Sequence, residues 1–159
     1  MRRKDREMNT EFALNIIDKC KYSVLAVISS ENLPYAVPLS PVRIENNLYF
    51  HCAYQGKKIE ALKYNPNVCI VSVGDIHPAA EKFTMEYESA ITYGAAVQVT
   101  DRSEKVAALK AIALKYTPEN IKAFDIALET NLEATDVWKI RIESVTAKRN
   151  KLSDKTNKQ

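Results

Sequence analysis

Residues 22–53 hold apolar, strand-like stretches in direct succession: "YSVLAVIS" (22–29), "YAVPLS" (35–40), "VRI" and "LYFHCA" (48–53), separated only by short turn-like spacers. Strands that come in a run, instead of alternating regularly with long helices, argue against a doubly wound parallel sheet. They predict a mainly β fold of the α+β class, a small and mostly antiparallel barrel with peripheral helices. Pro38 cannot donate to a sheet ladder, so the strand 35–40 belongs at an edge or a bulge.

The remaining elements fit around this run. Ala13, Ile16, Ile17 and Cys20 follow helical spacing, which predicts a helix over 10–20 with Thr10 as its N-cap. A Glu45-Asn46-Asn47 turn closes a hairpin between "VRI" and "LYFHCA". A short helix is expected from Gly56 to about Tyr64, ending near Asn65-Pro66. "VCIVSV" (68–73) reads as a buried strand and 74–82 as a loop. Residues 83–100 read as two strands or one bent strand, interrupted by Gly94. Asp101 and Glu104 resemble a capping box, with Val106, Leu109, Ala113 and Tyr116 along one helical face. Thr117-Pro118 predicts a second helix, 118–129. "DVWKIRIESVTA" (136–147) alternates as a last strand.

A chain of 159 residues fits one domain, taken as 1–150 with a polar and disordered tail at 151–159. The net charge of +3 hides a gradient: residues 1–7 carry +2, residues 148–159 carry +4, and the body carries −3. Nucleic-acid binders concentrate positive charge on their folded face, so nucleic acid is not expected as a partner. No apolar run reaches the roughly 18 residues of a membrane helix, and no secretory h-region is read at the start. Cys20, Cys52 and Cys69 form no CxxC pair, so a cytoplasmic setting is expected. With His51 and His77 they give no metal spacing. Ser40, His51 and Asp75 lack the GxSxG elbow of a hydrolase.

The sharpest local feature is the junction "LYFHCAYQGKKIEALKYNP" (48–66). Leu48, Phe50 and Cys52 share one strand face, and Tyr49, His51 and Ala53 share the other. A histidine on an outward face is either half-buried and hydrogen-bonded or covered by a ligand, a helix or another subunit. Lys57 and Lys58 follow Gly56 into a helix start, where unpaired N–H groups and the dipole favour an anion. Cations there are locally unfavourable. A bound phosphate or a solvated surface pair both account for them. Only three glycines occur, so no glycine-rich nucleotide loop is available.

The segment "PYAVPLSPVRIENNLYFHCAYQGKKIEALKYNPNVCIVSV", with "MRRKDREM", "YESAITYGAAVQV" and "VWKIRIESVTAKRN" in the same order, resembles flavin-nucleotide-binding proteins related to pyridoxamine 5′-phosphate oxidase, in particular the nitroimidazole-resistance branch. The resemblance covers about residues 1–150. It implies an FMN-binding split β-barrel that forms a homodimer with flavins at the subunit interface. It places Val37, Pro38, Leu39 and Ser40 along the flavin ring, His51, Cys52 and Ala53 beside it, and Lys57 and Lys58 on the phosphate. Ser89 and Trp138 are further cofactor contacts, from either chain. Cys52 replaces a usual glycine, and Glu88 stands where some relatives carry a basic residue.

The resulting expectation is a cytoplasmic flavoprotein using FMN, with FAD as the alternative. It would carry reducing equivalents from NAD(P)H to a small acceptor such as a nitroimidazole, with His51 as proton donor. The competing reading is a non-catalytic module that binds flavin or haem on the same barrel.

Overall fold

The computed structural model describes residues 2–150; the tail expected at 151–159 lies outside them. In chain order the elements are β1 (Glu7–Met8), α1 (Thr10–Lys19), β2 (Ser23–Ile28), β3 (Pro34–Leu39), β4 (Val42–Ile44), β5 (Asn47–Cys52), α2 (Lys57–Tyr64), β6 (Asn67–Ala79), β7 (Thr84–Gln98), α3 (Arg102–Tyr116), α4 (Phe124–Asn131) and β8 (Asp136–Asn150). Every strand pair is antiparallel, in the order β3-β2-β6-β7-β8-β5-β4, with β1 added to β8. The fold is the expected split barrel with peripheral helices. β3 is an edge strand, which leaves Pro38 without a ladder bond to lose.

Alternation along the strands builds the core. Leu25, Leu48, Phe50, Ile70, Ala90 and Ile140 point inward and are all but inaccessible. α1 lays Ala13, Ile16 and Ile17 into the same cluster. A second, smaller cluster lies on the outer side, where α3 packs Ala108 and Ile112 onto Val42, Tyr49 and Val137.

Several local expectations shift. Asn9, not Thr10, caps α1: its Oδ1 accepts from the Phe12 amide at 2.9 Å. The loop expected at 74–82 is largely strand, since β6 continues to Ala79 through a register shift between Val73 and Ile76. A 3-10 turn at Ala80–Lys82 then leads into β7. Residues 84–98 are one strand, irregular at Tyr93–Gly94. A Cβ on Gly94 would come within 2.1 Å of the Arg141 carbonyl oxygen, so only glycine allows this close approach. Asp101 caps α3 through the Glu104 amide, but the Glu104 carboxylate turns away to Tyr49 and Lys139, so no reciprocal box forms. The buried face of α3 is Ala108 and Ile112, one position round from the expected stripe. The second helix begins as a 3-10 segment, Pro118–Ala123, before α4. β8 runs three residues past the expected end.

Candidate functional site

The site is organised by β5 and the helix that follows it. Leu48 and Phe50 enter the core, which turns Tyr49 and His51 outward. Their surroundings then diverge. Tyr49 lies beneath α3 and is 6% exposed, its hydroxyl donating to Glu104 Oε1 at 2.8 Å. Burial, then the Glu104 carboxylate, push that hydroxyl up to about 12. His51 reaches solvent, yet the atoms crowding its ring push its pKa below the ordinary 6.5, and the Lys58 ammonium acts in the same direction. At neutral pH the ring is therefore uncharged and offers one N–H donor and one acceptor.

Gly56 enters α2 with φ of +125°, a conformation that glycine alone adopts without strain, and no side chain caps the helix. The Ile59 and Glu60 amides both turn to the Gly56 carbonyl. Among the described residues the Lys57 and Lys58 amides find no acceptor, so two donors remain available at the positive end of the helix. The Lys57 ammonium lies 5.1 Å from the centroid of the Tyr35 ring on β3, and that of Lys58 lies 5.1 Å from the Phe50 ring on β5. The two lysines thus sit against the two strands that carry the expected ring contacts.

Alternation divides the eleven expected site residues. Val37 and Leu39 turn toward the core, while Pro38 and Ser40 are exposed on the opposite face. Cys52 also packs against the core, and burial lifts its thiol up to about 11. It therefore faces away from His51, and Ala53 is exposed just beyond the strand. Ser89 is half-buried on the outward face of β7, separated from β5 by β8. Trp138 requires a correction. It is only 4% exposed within one chain, and its indole N–H donates to the buried Asp136 at 2.8 Å. It is a core residue with no free surface for a cofactor or an interface. Glu88, the other departure noted in the sequence, is ion-paired with Lys19, which also reaches Asp75 at 2.9 Å.

A cleft of about 410 Å³ lies where the sheet meets α3 and α4, and Ser40 and His51 form its sheet wall. Leu109, Ile112 and Tyr116 of α3 and Phe124 and Leu128 of α4 form the helical wall. No sequence expectation covers this cleft. Its only signal was the spacing of Leu109, Ile112 and Tyr116, a pattern that also describes an ordinary buried helix face.

The chain is thus a split antiparallel barrel in which a histidine-bearing strand runs into a lysine-flanked helix start. The family model described as pyridoxamine 5′-phosphate oxidase matches residues 9–149, and the chain belongs to that family. Among solved structures, it is similar to a candidate 5-nitroimidazole antibiotic resistance protein of Bacteroides thetaiotaomicron VPI-5482. Identity is 26%, coverage is 89% of this chain and 85% of that one, and the TM-score is 0.75. An FAD and heme binding protein of Mycobacterium smegmatis shares the fold at 16% identity, covering 92% and 74%, with a TM-score of 0.76. A flavocytochrome of Azotobacter vinelandii does so at 19% identity, covering 92% and 71%, with a TM-score of 0.71. No curated protein matches the sequence significantly. Among the described residues, no helix is long and apolar enough to cross a membrane.

Proposed function

We propose that this protein binds a flavin nucleotide, FMN in preference to FAD, and acts as a cytoplasmic oxidoreductase on a small acceptor such as a nitroimidazole. The observation that carries the reading is the start of α2, where two unpaired amides and two lysines stand against the strands β3 and β5. That arrangement suits one phosphate group. Pro38, Ser40, His51 and Ala53 would meet the ring from the outward side, with Val37, Leu39 and Cys52 supporting it from the core. Bound flavin supplies reversible two-electron chemistry, a hydride taken from NAD(P)H and electrons released to the acceptor. His51, neutral at working pH, serves as a hydrogen-bond donor and not as a stored acid.

A homodimer belongs to the same proposal. On the outward face of β7, Ile91, Tyr93 and Val97 are 36%, 55% and 53% exposed. Large apolar residues aligned on one open sheet face support a protein contact. Ser89 shares that face, so a second copy there would bring it to the shared site.

The test is the purified protein's visible spectrum and its affinity for FMN and riboflavin. Flavin bands are expected. Replacing Lys57 and Lys58 together by Ala should weaken FMN binding by about a hundredfold or more, since charge-assisted hydrogen bonds contribute roughly 1.5–3 kcal/mol each. Riboflavin, which has no phosphate, should bind both proteins alike. A colourless protein that takes up neither FMN nor FAD overturns the reading, and a Soret band in its place supports the haem-binding alternative.

A further inference from the structure

We infer that Lys115 is a positioning residue for the ring end of the cofactor site: its ammonium, with the Tyr116 hydroxyl, clamps the Pro41 carbonyl and so fixes Ser40 opposite α3. Lys115 Nζ donates to the Pro41 carbonyl at 2.9 Å and to the Ile17 carbonyl at 3.0 Å. The Tyr116 hydroxyl donates to the same Pro41 oxygen at 2.7 Å. The ammonium also lies 5.1 Å from the centroid of the Tyr116 ring. Two consecutive side chains at the end of α3 therefore converge on one carbonyl in the link between β3 and β4. That the positioned ligand is a flavin ring rests on the flavin reading; the clamp rests on these contacts.

The energetics favour position over bulk stability as the purpose of these contacts. Lys115 is half-buried, and among the described residues it forms no ion pair. Taking an ammonium out of water is costly, and burial pushes its pKa down. An apolar side chain would pack there without that cost, but it would not hold a carbonyl oxygen in one direction. Both acceptors suit a cation. The Ile17 carbonyl belongs to the last turn of α1, where carbonyls lack helical partners and the dipole favours positive charge. Pro41 is fully buried between two strands. A proline also confines the residue before it to extended backbone, so holding Pro41 transmits directly to Ser40. Ser40 and Tyr116 line opposite walls of the cleft, and the clamp sets the gap between them. Lys57 and Lys58 act at the phosphate end; Lys115 acts at the other end without touching the ligand.

The experiment compares Lys115→Met, which keeps the length and loses the donors, with Lys115→Arg, which keeps charge and donors. Tyr116→Phe, which removes only the second donor, should move the same readouts less. Backbone order parameters from nitrogen-15 relaxation are measured on flavin-free protein, and affinities for riboflavin and FMN by titration. In Lys115→Met the order parameters of Ser40 and Val42 should fall, while those of Leu25 and Ile70 in the core hold. Riboflavin and FMN should weaken by the same factor, about tenfold or more for a lost charge-assisted hydrogen bond, and the visible bands of bound flavin should shift. Lys115→Arg should recover most of these changes. An unchanged Ser40 order parameter, unchanged riboflavin affinity, or a loss confined to FMN would each overturn the inference. Equal losses in Lys115→Arg and Lys115→Met would reduce Lys115 to packing and overturn it too. If the wild type takes up no flavin, the flavin reading fails by itself. The Ser40 order parameter then decides the clamp: a fall in Lys115→Met supports it and no change removes it.

Discussion

The Tyr49 hydroxyl and the Glu104 carboxylate meet at 2.8 Å, joining the strand that carries His51 to the helix that walls the cleft. Lys139 of β8 reaches the same Glu104 oxygen, also at 2.8 Å. One carboxylate thus ties β5, β8 and α3 together, and the position of the cleft depends on it.

Replacing Tyr49 by Phe removes the donor but keeps the packed ring. The expected loss is about 1 kcal/mol, the usual net worth of such a bond, read from urea denaturation. Lys139, then Tyr49, hold the Glu104 carboxyl below its ordinary 4.5. A depressed folded-state value means that this contribution is complete above the unfolded value and is lost as pH falls through the folded one. Glu104→Gln should therefore flatten the acid limb of the stability profile. An unchanged acid limb in this variant would show that the contact contributes nothing to stability.

His51 and Lys58 make a second prediction. Crowding lowers the His51 pKa most, and Lys58 lowers it further. Between the folded value and the ordinary 6.5, the unfolded chain binds more protons, so stability from this group is full above the unfolded value and declines in acid. Lys58→Ala should raise the His51 titration toward 6.5 without reaching it, while Lys58→Arg should leave it depressed. Proton NMR of the imidazole resonances, with His77→Gln to assign them, reads the shift. A titration that stays put in Lys58→Ala contradicts the electrostatic link.

Much of the site could be read from residues 48–58, because side-chain alternation and the glycine entry to α2 are local properties. The split of Val37–Ser40 into two faces is also local, since it follows from strand period alone. Other features depend on partners far along the chain. Trp138 reads as a large aromatic on an alternating strand, and only Asp136 two residues before it, buried with it, shows that its indole is satisfied inside. The strand expected at 68–73 stops short of the observed β6, since glycine followed by Asp75 is a local turn signal. Pairing of Ile76–Ala79 with Thr84–Tyr87 overrides that local signal. The cleft required α4 to be seen in space, since nothing in "FDIALETN" distinguishes a core face from the lining of a void.

Asp136 gives a third prediction. It is 2% exposed and accepts from Gln98 Nε2 and the Val137 amide at 3.0 Å and from Trp138 Nε1 at 2.8 Å. Asp136→Ala strands the Val137 and Trp138 donors in the core and leaves half-buried Gln98 without its acceptor. Unsatisfied buried donors cost about 1–3 kcal/mol each, so a loss of roughly 2 kcal/mol or more is expected, with altered Trp138 fluorescence. Asp136→Asn keeps the volume and one acceptor oxygen and should lose less. Equal stability of wild type and Asp136→Ala would refute this account of the buried carboxylate.

The last prediction concerns the second copy. Tyr93 and Val97 lie on one outward strand face, more than half exposed, next to Ile91, which is about one-third exposed at 36%. Tyr64 has a nearly identical exposure, 53%, but lies on α2, away from that sheet face. The pair separates a specific interface from general surface hydrophobicity. If β7 meets a second copy, Tyr93→Glu brings two carboxylates into a desolvated contact, and burying unpaired charge is costly. Tyr64→Glu only adds a solvated charge. Sedimentation should show wild type and Tyr64→Glu as dimers and Tyr93→Glu as a monomer, and only the first two should melt at temperatures that rise with concentration. Because Ser89 shares the β7 face, flavin should leave Tyr93→Glu together with the partner. A wild-type monomer at all concentrations would remove the dimer. A monomeric Tyr93→Glu with full flavin occupancy would keep the dimer and show that one chain completes the flavin site alone.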